Sequence, residues 1–259
     1  MEKRKIMLWK KPPYIEFSND KFEASMTEYK VNDKKTAMIV CPGGGYVCNC
    51  VEIEGVPLTE KLNENGINAY ILDYSVSPCH YNAPVSDAMR AIRTLRAMGY
   101  EKVGILGFSA GGHLTCSAAT MYERETYKKV DHIDEFSARP DVFVPCYPVV
   151  TMDKRYTHLG SRQSLLGANW EDEKLADEFS CEKLITKDTP PCFLWHTETD
   201  DIVPIKNAYL LAETLIENNV PLEFHMYSHG CHGLSLANEF NDISAWSDAC
   251  ITFLKNRGF

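Results

Sequence analysis

The chain of 259 residues has no basic stripe, no long apolar run and no stretch of low complexity, and each absence removes a class of function. Lys and Arg total 27 against 36 Asp and Glu, for a formal charge of −9. Nucleic-acid binding needs a clustered positive face to neutralise phosphates, so that class is excluded. The basic cluster MEKRK at the start is short and reads as a solvated terminus. Behind it the apolar run IMLW stops after four residues at Lys10. A secretory core needs roughly seven apolar residues or more, and a membrane span about 18. No internal repeat is visible. A soluble, cytoplasmic chain with no nucleic-acid or membrane partner is the expectation.

The ten cysteines lack the spacing of a metal site or a disulfide framework. Cys48-Asn49-Cys50 has one residue between its thiols, where zinc motifs have two to four. Cys41, Cys146 and Cys192 lie in apolar runs and read as small buried hydrophobes. His229 and His232 are three apart, but in a glycine-containing loop rather than on a helix, which disfavours zinc. Reduced thiols and no metal are expected.

What is present is alternation. Apolar runs at 37–41, 67–72, 103–108, 141–147, 192–197 and 222–227 read as buried strands, separated by helical periodicities. Val85, Ala88, Met89, Ile92 and Leu95 share one face of a helix opened by Pro84 and stopped by Gly99. Ile205, Ala208, Leu211, Ala212 and Leu215 repeat the pattern after Pro204. Phe240, Ile243, Trp246, Cys250 and Phe253 make a final helix. Right-handed βαβ units in one α/β domain over 1–259 follow. The stretch 148–191 breaks the alternation with turn and charge signals and at most two short helices, near 164–166 and 172–179. It reads as a lid or cap insertion or as a solvated loop.

VGILGFSAGGHL, 103–114, runs from a strand into a helix through Gly107-Phe108-Ser109-Ala110-Gly111. This G-x-S-x-G pattern between strand and helix is the nucleophile elbow, where glycines leave room for the close approach of strand and helix. A serine hydroxyl needs a base oriented by a carboxylate, and both should follow at the ends of later strands. Asp200 and Asp201 lie just beyond the run CFLWHT, and His225, His229 and His232 lie in and after LEFHMY. His232, between Cys231 and Gly233, is best placed to reach back, while Asp200 and Asp201 remain open on spacing. Pro42-Gly43-Gly44-Gly45-Tyr46 follows the first strong strand and offers backbone N–H groups for a developing oxyanion.

These residues make the chain resemble the α/β-hydrolases, and among them the acetyl-esterase and acetylxylan-esterase-like carbohydrate esterases, from about residue 35 onward. The resemblance is carried by PGGGY, EGVPLTEKL, GFSAGGHL, the series RPD, YPV, GSR and LLG, PPCFLWHTETDDIVP and HGCHGL. It implies an α/β-hydrolase fold, with a mostly parallel central sheet flanked by helices and a small insertion before the acid-bearing strand. It further implies Ser109 as nucleophile, His232 as base and Asp200, rather than Asp201, as acid, with the N–H groups of Gly44, Gly45 and Ala110 as oxyanion donors. The implied reaction is cleavage of short acyl groups, acetyl foremost, from sugars or xylo-oligosaccharides through an acyl-enzyme, with no cofactor. The partner would be a small-molecule ester or acetylated sugar, and a homo-oligomer is compatible with this reading. Tyr46 and Trp195 are expected as pocket walls. A dienelactone-type hydrolase, a small peptidase and a non-catalytic binding module are the competing readings. Two departures stand out: Pro42 replaces the histidine of lipase-type HGGG, and Ser75 replaces an arginine usual after the tyrosine of LDYSVSP.

Overall fold

A computed structural model describes residues 3–14 and 23–259. The strands are β1 (Lys5–Met7), β2 (Ser25–Tyr29), β3 (Thr36–Cys41), β4 (Asn68–Asp73), β5 (Lys102–Phe108), β6 (Phe143–Cys146), β7 (Cys192–Thr197) and β8 (Leu222–Tyr227). They form one eight-stranded sheet in the order β1-β2-β4-β3-β5-β6-β7-β8. The six strands from β4 to β8 are parallel, while β1 and β2 add an antiparallel edge. The helices are α1 (Val56–Glu64), α2 (Ala83–Ala97), α3 (Ser109–Thr120), α4 (Leu159–Leu166), α5 (Glu173–Glu178), α6 (Lys206–Glu217) and α7 (Ala245–Asn256). This is the α/β-hydrolase architecture expected from the sequence.

Both faces of the sheet are covered, which is why its strands read as continuous apolar runs. Ile39, Ile105 and Leu194 pack on one face with Val85, Leu114 and Leu211 from α2, α3 and α6. Their neighbours Val40, Leu106 and Trp195 point to the other face, against Leu58 of α1 and Trp246 of α7. The edge strands β1 and β2 escaped the sequence reading because they mix polar and apolar residues. The final helix starts at Ala245, not at Phe240: residues 240–244 form hydrogen-bonded turns, with Ser244 N donating to Phe240 O at 2.8 Å.

The stretch 148–191 contains two short helices, α4 and α5, at 159–166 and 173–178. It is held together internally by Arg162, whose side chain is fully buried, and is joined to the core where the N–H groups of Val150 and Thr151 donate to Asn207 Oδ1 of α6. The Arg162 guanidinium donates to Trp170 O at 2.7 Å, to Met152 O, and to Glu173 Oε1 at 3.1 Å. A planar five-donor group can join three turns at once, which lets a segment rich in polar residues pack as part of the domain. At Ser75 the backbone N–H donates to Asp87 Oδ2 at 2.9 Å, and Trp9 Nε1 donates to Oδ1 at 2.6 Å, so backbone and indole donors serve Asp87 here.

The chain order places β4 on one side of β3 and β5 on the other, so the crevice at the carboxyl ends of β3 and β5 is the switch point where such sheets bind ligands. There the backbone is crowded. A Cβ on Gly111 would sit 2.2 Å from Cys41 O and 2.4 Å from Pro42 O, and one on Gly107 would sit 2.1 Å from Gly111 O. Both obstacles are backbone and cannot swing away. Gly111→Ala is therefore expected to lower the urea unfolding free energy by about 3 kcal/mol or more. At Gly167, where φ is +56°, ψ −130° and nothing lies within 4 Å, Ala meets no clash and should cost only backbone strain, about 1–3 kcal/mol. Equal losses in the two variants would show that the approach of α3 to β3 is not a tight constraint.

Candidate active site

Ser109 is the first residue of α3 and follows β5 with no loop between them. Its φ is +53°, in the left-handed region that a residue with a Cβ rarely occupies. Strain of this kind gathers at functional sites, and here it lifts the side chain out of the sheet end. Ser109 Oγ lies 2.8 Å from His232 Nε2, and His232 Nδ1 lies 2.7 Å from Asp200 Oδ2. A carboxylate can only accept, so Nδ1 carries the proton and Nε2 presents its lone pair to the serine hydroxyl.

Asp200 is held from several sides. Its Oδ1 accepts from the N–H groups of Ile202 at 2.9 Å and Val203 at 2.8 Å, and its Oδ2 also accepts from His196 Nε2 at 3.1 Å. Burial works against the charge, but the hydrogen bonds from His196 and His232 outweigh it and hold the carboxyl well below the usual range. Asp201 is exposed and, among the described residues, accepts from the His232 backbone N–H at 3.5 Å. His225 pairs with Glu223 at 2.9 Å and stacks on Phe193, while His229 sits 3.7 Å from Asp242. The geometry thus brings Ser109, His232 and Asp200 together and leaves Asp201, His225 and His229 aside.

The turn after β3 supplies the facing wall. Gly44 and Gly45 line the same cavity as Ser109. Gly44 has φ +131°, and a Cβ there would lie 2.1 Å from Cys48 O, so only glycine fits. The Gly43 N–H is taken by Glu54 Oε2 at 2.5 Å. Ala110 occupies the first turn of α3, where backbone N–H groups lack helical partners. The cavity is about 270 Å³ and is also bounded by Cys50, Ile53, Ile202 and His158.

Tyr46 and Trp195 do not line it, which corrects the expectation from sequence. Tyr46, at φ +61°, turns inward, is 1% exposed, and its hydroxyl donates to His113 Nδ1 at 2.7 Å. The opposite ring nitrogen of His113 donates to Phe179 O at 2.7 Å, which fixes this tautomer. Trp195 is fully buried and stacks on Trp246 with centroids 4.8 Å apart. Its other neighbour, Tyr147, makes an edge contact at 5.0 Å and meets the His232 ring at 5.1 Å. Trp195 therefore supports the floor beneath the histidine, each aromatic pair adding about 1 kcal/mol.

Two wall residues were not foreseen. His158, from the segment 148–191, faces the glycine turn, with Nδ1 2.9 Å from Ser161 Oγ. Burial, and then the electrostatic effect of His232, push its ring below the ordinary imidazole range. Glu54 is 5% exposed and lies beside the nucleophile turn. Neither was weighed as a site residue, although Glu54 opens the EGVPLTEKL stretch that helped carry the family resemblance.

Comparison with known proteins places this geometry among relatives. The family model BD-FAE matches residues 26–215. Endo-1,4-beta-xylanase B of Butyrivibrio fibrisolvens is 38% identical over 253 residues, covering 93% of this chain and 39% of that protein. Acetylxylan esterase of Xylanibacter ruminicola is 28% identical over 218 residues, covering 81% of this chain and 43% of that protein. The chain thus spans about two fifths of the length of these two relatives. An acetyl ester-xyloside bifunctional hydrolase from Caldicellulosiruptor lactoaceticus superposes with a TM-score of 0.90 at 36% identity, covering 100% of this chain and 97% of that one. The chain belongs to the BD-FAE family, in the acetyl-esterase and acetylxylan-esterase-like group of the α/β-hydrolases.

Proposed function

We propose that the chain is a serine esterase that removes short acyl groups, acetyl foremost, from hydroxyls of sugars or xylo-oligosaccharides. The observation that carries this reading is the continuous hydrogen-bonded series Ser109, His232, Asp200, with distances of 2.8 and 2.7 Å. In the proposed reaction His232 Nε2 takes the Ser109 proton as Oγ attacks the ester carbonyl. The N–H groups of Gly44, Gly45 and Ala110 stabilise the oxyanion, and Asp200 stabilises the imidazolium. His232 returns the proton to the leaving alkoxide, and a water activated by the same imidazole hydrolyses the acyl-enzyme. Every proton is accounted for by these groups, so no cofactor enters a step.

The substrate assignment is supported by size and by relatives. A space of about 270 Å³ is below the roughly 300–1,000 Å³ of sites that enclose drug-sized ligands, which favours a small acyl group with the alcohol extending outward. The names of the matched relatives, a xylanase, an acetylxylan esterase and an acetyl ester-xyloside hydrolase, support a xylan-derived alcohol. We assign to the segment 148–191 the role of a wall that contributes His158 to this site.

Hydrolysis of p-nitrophenyl acetate, butyrate and octanoate, and acetate release from acetylated xylo-oligosaccharides, test the reading. Wild type should prefer acetate, and Ser109→Ala should lose at least about a thousandfold in kcat/KM. Absence of wild-type turnover on every ester would refute it. Asp200→Asn should cost about 10³–10⁴-fold in kcat, because the amide favours the wrong imidazole tautomer, while Asp201→Asn stays within about threefold of wild type. The reverse ranking would transfer the acid role to Asp201.

His158→Ala should raise KM for the acetylated oligosaccharide about fivefold or more, the worth of roughly one hydrogen bond, and change KM for p-nitrophenyl acetate less. Equal effects on both substrates would assign His158 to packing.

A further inference from the structure

Glu54 is a buried carboxylate that the proposed series of proton transfers does not use. It lies in the single π-helical turn Val51–Gly55, between the glycine turn and α1. Burial pushes its carboxyl above the usual range, and the Gly43 N–H, the Tyr147 hydroxyl and His232 act in the opposite direction. A buried charge carries a desolvation cost that hydrogen bonds only partly offset. An amide or an apolar side chain of similar size would avoid that cost, so its presence beside a reactive serine points to a use for the carboxylate.

Its contacts show what that use is. Glu54 Oε2 accepts from Gly43 N at 2.5 Å, and a Cβ on Gly43 would lie 3.1 Å from Ser109 Cβ, so Gly43 is wedged between the carboxylate and the nucleophile. Glu54 Oε1 accepts from the Tyr147 hydroxyl at 2.8 Å. That hydroxyl in turn accepts from Ser235 N at 3.0 Å, three residues beyond His232. Ser235 Oγ closes the loop by donating to Ile53 O at 2.8 Å, next to Glu54 itself. One carboxylate thereby joins the glycine turn to the loop that carries His232.

We propose that Glu54 is a positioning residue: it fixes the glycine turn and the His232 loop in one geometry, so that oxyanion donors and base meet the same carbonyl carbon. This rests on the esterase reading above. Catalysis requires both sets of groups to be placed to within a fraction of an ångström, and they come from opposite ends of the chain. The carboxylate accepts from both sides at once, Gly43 N–H and Tyr147 O–H. In Glu54→Gln the amide keeps one acceptor and turns a donor toward the other partner, with little change in volume.

The experiment measures kcat and KM on p-nitrophenyl acetate, with urea midpoints, for wild type, Glu54→Gln, Tyr147→Phe and Glu52→Gln. Glu52 lies exposed in the same turn and serves as the control for charge. Glu54→Gln and Tyr147→Phe should each lower kcat about 10–100-fold, the cost of displacing the reacting groups by a fraction of an ångström to about 1 Å, with KM within about twofold of wild type. Glu52→Gln should match wild type. Wild-type kcat in both Glu54→Gln and Tyr147→Phe, or a loss confined to KM, overturns the positioning role while leaving the esterase reading intact. If Glu54→Gln does not fold, the Tyr147→Phe result decides. A wild type without turnover overturns the esterase reading and this inference together.

Discussion

The close passage of α3 against the end of β3 governs the arrangement of the site. With only hydrogens on Gly107 and Gly111, the backbone of the helix start meets the carbonyls of Cys41 and Pro42. That contact sets Ser109 directly beside the glycine turn, since Gly43 follows Pro42 by one residue and abuts Ser109 Cβ. It also forces Ser109 to φ +53°, because a strand that turns into a helix without a loop must reverse within one residue. The cost is of the order of 1–3 kcal/mol, which the surrounding fully buried residues Phe108, Ala110 and Leu106 can sustain.

The second constraint is electrostatic and acts through burial. Asp200 is kept charged by two backbone N–H groups and two imidazoles, although burial opposes the charge. Because every partner of Asp200 is a donor, both His232 and His196 are held in tautomers that direct N–H toward it. Glu54 is the contrasting carboxylate: it has fewer donors, and burial prevails over them. Two acids in neighbouring environments are therefore pushed in opposite directions, and Glu54 depends on the Gly43 N–H and the Tyr147 hydroxyl to offset the burial that opposes its charge.

Most of the framework was legible in the sequence because buried parallel strands such as β3 to β7 are recorded as mainly apolar runs, and the half-buried edge strand β8 still showed as the mixed run LEFHMY. The elbow was legible because its sterics admit a narrow set of residues at fixed spacing. Asp200 and His232 followed from their places after the last two strands, although spacing alone did not separate Asp200 from Asp201. The family resemblance favoured Asp200, and the structure adds a physical difference: the N–H groups of Ile202 and Val203 curl back onto Asp200, a geometry that residue spacing does not encode. Trp195 and Tyr46 were misread for a related reason. Both stand near strand ends, but strand register aims Trp195 toward α7, and a left-handed residue at position 46 aims the ring at His113.

What remained hidden shares one property: it depends on contacts between segments distant in sequence. Glu54 and Tyr147 are 93 residues apart, and Ser235 and Ile53 are 182 apart. Periodicity cannot report such pairs, because each member satisfies its own local pattern; EGVPL reads as the approach to a helix, and the residues around His158 as a turn. A buried polar group marks them in the folded chain, since a polar atom removed from water must find a partner. Following Glu54 from partner to partner traverses the glycine turn, Tyr147 and the His232 loop without leaving the active site. The hydrogen-bond partners of Arg162 lie within the segment 148–191. That difference separates a buried charge that organises chemistry from one that organises the fold.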